Sequence, residues 1–203
     1  MGAAPLTDLA GWWPLPDRDD LRERLCRAYD DPARGYHDLR HLAEVLQRLD
    51  ELMPAGHPTR DVVLLAAWFH DAVYDGSTAG DNEERSARMA ERQLAATPYA
   101  AEVARLVRLT ATHRPADDDL DGQLLCDADL AILAAPPQRY DEYTAGVRQE
   151  YAAIPDRAFR AGRRRVLEDL LAKDSLFHTE AARERWERRA RANVQAEIEE
   201  LSR

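Results

Sequence analysis

The segment "TRDVVLLAAWFHDAVY", residues 59–74, limits the possible folds of this chain more than any other. It is apolar on most faces, which is typical of a central helix buried among other elements. The loop-like segment that follows, "DGSTAGD" (75–81), indicates that the helix ends close to His70 and Asp71. The sequence therefore predicts a buried rod that carries a polar pair at its end.

The rest of the chain also has apolar residues at helical spacing, interrupted by proline or glycine. No run alternates apolar and polar residues for long enough to predict a strand. With 203 residues, the chain is long enough for one domain with a core. We predict a single all-α domain over 1–203 of about eight or nine helices, with core motifs in 36–133 and C-terminal helices over 137–201. The segments that contain the predicted helices are 17–30, 36–53, 59–74, 82–96, 100–113, 117–135 (an acidic loop that turns into a helix), 137–154, 155–173 and 179–202.

Charge and cysteine content narrow the function classes. The formal net charge of −10 argues against a general nucleic-acid or membrane binder, since both require a basic face. Cys26 and Cys126 lie far apart, so neither a disulfide framework nor a zinc ribbon is indicated. The first residues lack the pattern of a signal peptide, and no apolar run is long enough to span a membrane. We expect a cytoplasmic protein.

Polar residues interrupt the apolar helices at three places. A charge inside an apolar helix is usually paired or bound to a metal ion. Histidines and carboxylates from separate helices are a common way to build a metal site inside a bundle. The combination favours Mn²⁺, Fe²⁺, Co²⁺, Ni²⁺ or Zn²⁺ over Ca²⁺. The three places are His37 with His41, His70 with Asp71, and Asp127 with Asp129.

This ordered pattern resembles the HD-domain metal-dependent phosphohydrolase superfamily. The resemblance covers about residues 36–133, and its pattern of histidine, then His-Asp, then aspartate matches His41, His70, Asp71 and Asp129. The motifs "YHDLRH", "WFHDAVYD", "DNEERSA" and "LTATH" look like an uncharacterised bacterial subgroup. His37 remains an alternative to His41, and Asp127 an alternative to Asp129.

The resemblance implies a helical HD fold and hydrolysis of a small phosphate ester, most plausibly a nucleotide or a nucleotide-like metabolite. One or two divalent ions, Mg²⁺ also being acceptable, would activate water for attack on phosphorus. Asp71 is expected to orient that water, with Asp75 or Glu83 as proton shuttle. His37 and His113 are candidates for holding a second ion or the phosphate.

Further substrate contacts are predicted around the same loops, and "DGSTAG" (75–80) is a candidate lid. Two other functions stay open: a di-iron oxygenase of HD fold, and a nucleotide-binding regulatory module with a structural metal. The last helix is long and charged, and either packs back on the domain or forms a homodimer contact. The predicted substrate-binding residues are Arg40, Asn82, Ser86, Thr110 and Arg114.

Overall fold

Nine α-helices and no strand form over the residues that the computed structural model describes, 9–76 and 80–203. The all-α prediction of eight or nine helices is confirmed. Short 3-10 helices cover Leu9–Trp12 and Ala131–Ala134. The α-helices are α1 (Asp19–Tyr29), α2 (Leu39–Leu52), α3 (Arg60–Phe69), α4 (Asn82–Gln93), α5 (Ala100–Leu109), α6 (Leu120–Leu130), α7 (Pro137–Glu150), α8 (Asp156–Leu171) and α9 (Glu180–Leu201).

Helix α3 lies at the centre of the core. All of its side chains from Val62 to Phe69 are buried, and it packs against α2, α4, α5 and α6. Burying one large apolar side chain contributes about 1.5–3 kcal/mol, so α3 is held firmly in place. The helix ends at Phe69, and His70 and Asp71 follow in the turn. The core thus fixes the position of the polar pair.

Helix α2 begins one residue after Asp38, whose carboxylate accepts hydrogen bonds from the backbone N–H groups of Arg40 and His41. Such a cap satisfies N–H groups that a helix start leaves without partners. The cap places His41 in the first turn of α2, facing α3 and α6. The apolar stripe of α2 that packs into the core is Leu42, Val45, Leu46, Leu49 and Leu52.

Helix α6 packs on both α2 and α3, and ends earlier than the sequence pattern predicts. The segment 117–135 is predicted to turn from an acidic loop into one apolar helix that continues to Pro136, but the α-helix stops at Leu130 and a 3-10 helix follows. Asp127, fully buried on α6, accepts hydrogen bonds from the backbone N–H groups of His178 and Thr179, both at 2.7 Å. This carboxylate therefore ties α6 to the start of α9.

The C-terminal helices pack back onto this core. Helix α9 lies against α8 and the 3-10 helix Ala131–Ala134. The loop before α2 lies directly on α7, because a Cβ at either Gly35 or Gly146 would clash with the backbone of the other glycine. Among the helices of the described residues, none is both long and apolar enough to cross a lipid bilayer. The lid predicted over 75–80 falls partly on residues 77–79, which lie outside the described residues.

Candidate metal centre

Four polar side chains meet where α2, α3 and α6 come together. The Nε2 atoms of His41 and His70 are 3.0 Å apart. Asp71 Oδ2 lies 3.1 Å from the Nε2 of His70. From α6, Asp129 Oδ1 lies 3.3 Å from the Nε2 of His41. Both histidines are 1% exposed. We refer to these four residues as the histidine–aspartate cluster.

The spacing within the cluster fits one metal ion. The ligand atoms of His41, His70 and Asp71 all lie within 4.8 Å of one another. With bonds of about 2.1 Å, neighbouring ligand atoms are about 3.0 Å apart around an octahedral ion and about 3.4 Å around a tetrahedral one. The three separations among these atoms are 3.0, 3.1 and 3.5 Å. These three residues can therefore hold a metal ion.

Hydrogen bonds fix the orientation of the His-Asp pair. His70 Nδ1–H donates to the carbonyl oxygen of Ala67 at 2.7 Å, which leaves the Nε2 lone pair directed into the cluster. The hydroxyl of Tyr29 accepts a hydrogen bond from the backbone N–H of Asp71 at 3.1 Å. Metal-binding histidines are commonly oriented by a bond of this kind at their second nitrogen.

Arg34 holds the backbone next to His70 and Asp71 in place. Its guanidinium donates to the carbonyl oxygens of His37 and Asp71, both at 2.8 Å, and to that of Ala72 at 3.3 Å. The residue is 9% exposed and lies over the ring of Tyr29. A cation is favoured at a helix C-terminus, where carbonyl groups lack partners. No sequence signal singles out this arginine.

The structure brings Asp129, and not Asp127, to the cluster. Asp129 uses its two oxygens differently: Oδ1 contacts His41, while Oδ2 lies 2.9 Å from Nε2 of His113. Asp127 is two residues earlier, about 200° around the helix, and faces the start of α9. Asp129 Oδ1 also lies 3.8 Å from the Nε2 of His70. Asp129 is not among the three residues whose ligand atoms all lie within 4.8 Å of one another.

His41, and not His37, meets the other histidine of the cluster. His37 Nδ1 instead pairs with Glu150 Oε2 at 2.8 Å, and its ring stacks on Tyr74. The other oxygen of Glu150 accepts all three backbone N–H groups of residues 35–37. The Glu150 carboxylate, 1% exposed, therefore positions both the loop and the His37 ring beside the cluster.

A cavity of about 730 Å³ opens beside the cluster. This volume lies within the usual range for small-molecule sites. Side chains from the cluster line one end, and apolar residues of α7, α8 and the segment between them line the other. Seven of the residues predicted from sequence line it: His37, Asp71, Glu83, Thr110, His113, Arg114 and Asp129.

Among the cations, Arg114, Arg163 and Lys173 line the cavity and Arg40 does not. Arg40 is exposed and pairs with Glu44 at 3.2 Å and Glu142 at 2.8 Å, so its charge is already matched. Arg114 forms no ion pair with the residues of 9–76 and 80–203. Burial and the nearby Arg114 charge lower the pKa of Lys173. Sequence reasoning missed Lys173, which resembles any other basic residue at a helix end.

Three further predicted residues lie outside the cavity lining. Asp75 pairs with Arg85 at 2.5 Å, and Asn82 Oδ1 lies 3.5 Å from the same guanidinium. The Ser86 hydroxyl accepts from the N–H of Val73 at 3.0 Å and donates to its carbonyl at 3.2 Å. These contacts attach α4 to the chain after the His-Asp pair, which is a structural role.

Burial and charge shift the pKa values of the cluster in opposite directions. Burial lowers the pKa of His41, but the carboxylates of Asp129 and Asp71 outweigh burial and raise it to about 10. Burial also lowers the pKa of His70. The Asp71 carboxylate raises it by more, so the pKa of His70 lies above its ordinary value. Burial raises the pKa values of both aspartates, yet the neighbouring histidines hold them below the ordinary range. Carboxylates that hold protons on nearby imidazoles also favour a divalent cation.

Comparison with known proteins identifies no relative. Neither a family model, nor a curated protein, nor a solved structure matches the chain. The function is therefore argued from the side chains and their geometry.

Proposed function

We propose that this chain is a cytosolic, metal-dependent phosphohydrolase of the HD-domain type that acts on a small phosphate ester. The observation that carries the proposal is the histidine–aspartate cluster, whose histidine and carboxylate atoms lie 3.0–3.8 Å apart beside a cavity. We assign Asp129 as the fourth ligand because it contacts both histidines. The imidazole and carboxylate set suits Mn²⁺, Fe²⁺, Co²⁺, Ni²⁺ or Zn²⁺.

A bound divalent ion lowers the pKa of a water ligand and neutralises charge on a phosphoryl oxygen. The chain supplies the remaining groups. Asp71, ionised and lining the cavity, is available to accept a hydrogen bond from the attacking water. Arg114 and Lys173 place positive charge on the same cavity for the phosphate oxygens. His113, held by Asp129, offers a further contact.

We assign the proton shuttle to Glu83. Glu83 lines the cavity near the start of α4, whereas Asp75 pairs with Arg85 outside the cavity lining. A shuttle must lie within hydrogen-bond reach of the reacting water or be linked to it by one water molecule. A group can reach that water only if it lines the cavity, and of these two carboxylates only Glu83 does.

The contact between Asp129 and His113 supports a second candidate, a two-ion centre. The two oxygens of Asp129 face different histidines, so Asp129 would help to hold a first ion in the cluster and, together with His113, a second ion if two were bound. Two ions would suit a two-metal hydrolase or a di-iron oxygenase. Iron content with substrate-dependent oxygen consumption favours the oxygenase. Tight nucleotide binding without turnover favours the regulatory module.

The test is phosphate release by protein loaded in turn with each of these ions, and with Mg²⁺, over a panel of phosphomonoesters and nucleotides. We expect metal-dependent release that is lost at least about 100-fold in His70→Ala. The matched control is His57→Ala, because His57 is a half-buried histidine bound to Asp121 and does not line the cavity. No metal-dependent release, with His70→Ala equal to the wild type, would overturn the proposal.

A further inference from the structure

The cavity has a second end that the proposed chemistry does not use. Ionisable groups line the end near the cluster, whereas the far wall consists mostly of apolar side chains of α8 and the segments that flank it. Asp169 of α8, which is exposed, also lines the cavity. Val166 of this wall is 53% exposed, which is unusual for an apolar side chain of this protein. The apolar residues of this wall include Ile154, Phe159, Val166 and Leu170.

Arg163 does not make this wall polar, although it lines the cavity. Its guanidinium pairs with Glu197 at 2.7 Å and donates to the hydroxyl of Tyr143 at 2.6 Å. The charge is therefore matched within the protein, and a ligand would gain little from it. An arginine committed in this way contributes mainly packing surface.

Gly162 keeps the wall open. It lies inside α8, where glycine is less favourable than alanine. A Cβ at this position would meet nothing within 4 Å, so packing does not require the glycine. Gly162 nevertheless lines the cavity. A side chain at Gly162 would project into free space beside Val166. Because glycine has no side chain, that space remains open to a ligand.

Tyr36 provides a polar contact between the two ends. The residue is 4% exposed and lines the cavity, and its hydroxyl is buried without a hydrogen-bond partner in the described part of the chain. Its ring lies 4.7 Å from the ring of His41, beside the cluster. A buried hydroxyl without a partner destabilises the protein, and a hydrogen bond to a ligand oxygen would remove that cost.

We propose that the apolar end holds the organic group of the phosphate ester, so the substrate is an ester with an apolar body and not a sugar phosphate. This inference rests on the proposed function, because the phosphate is placed at the cluster. The Tyr36 hydroxyl donates to an oxygen of the phosphate group, and the open strip at Gly162 and Val166 accommodates the body. The side chains of Ile154, Phe159, Val166 and Leu170 offer the hydroxyl groups of a sugar no hydrogen-bond partner.

The test measures binding and not turnover. The manganese-loaded protein is titrated calorimetrically with methyl-, ethyl-, butyl- and hexylphosphonate, whose P–C bond resists hydrolysis. We expect the dissociation constant to fall about fourfold per added methylene, which corresponds to about 0.8 kcal/mol per buried CH₂. The polar analogue of butylphosphonate with the same chain length, 3-hydroxypropylphosphonate, should bind at least about tenfold more weakly.

Three variants test the apolar end of the cavity and the phosphate contact independently. Val166→Asn and Gly162→Leu should flatten the dependence on chain length and leave methylphosphonate binding unchanged. Tyr36→Phe should weaken every member of the series by the same factor, about five- to tenfold, and keep the dependence. Leu120→Asn is the control, because Leu120 is also an exposed apolar residue but does not line the cavity.

The outcomes distinguish this inference from the function beneath it. Equal affinity across the phosphonates overturns the apolar-body proposal and leaves the phosphate site in place. An unchanged chain-length dependence in both Val166→Asn and Gly162→Leu also overturns it. If the manganese-loaded protein binds no phosphonate, both proposals fail.

Discussion

Two groups in this protein combine histidine with aspartate and differ in chemistry. In the first, the histidine–aspartate cluster, nitrogen and oxygen atoms converge beside a cavity. In the second, which we call the loop tie, His57 and Thr59 both contact the same oxygen of Asp121, at 2.7 and 2.8 Å. The loop tie lies outside the cavity lining and joins the loop before α3 to the first turn of α6.

The difference lies in the balance of donors and acceptors. In the loop tie, an imidazole N–H and a hydroxyl each donate to one carboxylate, so the group is complete without a ligand. In the cluster, two imidazole Nε2 atoms face each other and two carboxylates, and only protons or a cation can satisfy all of them. A metal site is recognised by converging acceptors and access to a cavity, and not by residue types alone.

The largest expected difference between the two groups is in metal affinity. His70→Ala should weaken Mn²⁺ or Zn²⁺ binding at least about 100-fold, because it removes a ligand that is oriented by Ala67. His57→Ala should leave the affinity unchanged, since the loop tie lies apart from the cavity. Isothermal titration of both variants measures this. Equal loss in the two variants would contradict the distinction.

A second comparison uses the two aspartates of α6. Asp129→Asn should lower metal affinity by about 10- to 100-fold. Asp127→Asn should keep metal affinity and lower the free energy of unfolding by about 1–3 kcal/mol, because one acceptor oxygen facing the α9 start is replaced by a donor. Urea unfolding alongside metal titration separates the two effects. Loss of metal binding in Asp127→Asn alone would reverse the assignment of the fourth ligand.

Arg34 is expected to act on the cluster through the backbone. Arg34→Met keeps much of the volume and leaves the carbonyls of His37, Asp71 and Ala72 without a donor. We expect about a tenfold loss of metal affinity together with about 2–4 kcal/mol of stability. Arg40→Met, which alters an exposed ion-paired arginine, is the control and should change neither. If Arg34→Met destabilises the protein without weakening metal binding, its role is only structural.

The smallest predicted effect is on the pH dependence of stability. The raised pKa of His41 adds stability that is complete below about pH 6.5 and is lost as pH rises through about 10. The lowered pKa values of Asp71 and Asp129 add stability that is lost as pH falls below about 3.8. With chelator, the free energy of unfolding should fall by about 1 kcal/mol or more from pH 6.5 to 9.5.

Metal-loaded protein should show the opposite trend over the same interval. Protons compete with the metal ion for the imidazoles, so binding strengthens and adds stability as pH rises. The two unfolding series, with chelator and with metal, should therefore diverge between pH 6.5 and 9.5. In His41→Ala the decline with chelator should be reduced. Parallel trends in the wild type would count against metal binding at these histidines.

Much of the fold could be predicted from the sequence, because each helix carries its own signals. Apolar spacing and proline breaks indicated all nine helical segments, with ends displaced by a few residues. The end of α3 at the His-Asp pair was also predictable, since the segment after it contains glycine. Such signals are local and do not depend on tertiary packing.

The supporting residues of the site could not be predicted in this way. Arg34 and Glu150 act through backbone groups 37 and 113–115 residues away along the chain. Lys173 and Tyr36 reach the cavity only because α8 and the loop before α2 pack around it. Asp127 remained an alternative to the preferred Asp129 until the position of the α9 start showed what Asp127 binds. All of these contacts depend on tertiary packing.

The most direct test of the central claim is a crystal structure of the protein soaked or grown with Mn²⁺ or Zn²⁺, with the ion located by anomalous scattering. We predict a peak about 2.0–2.3 Å from His41 Nε2, His70 Nε2 and a carboxylate oxygen of Asp71, with Asp129 completing the site. A second, weaker peak at His113 would support the two-ion centre. No peak within bonding distance of His41 and His70, at saturating metal, would contradict the account.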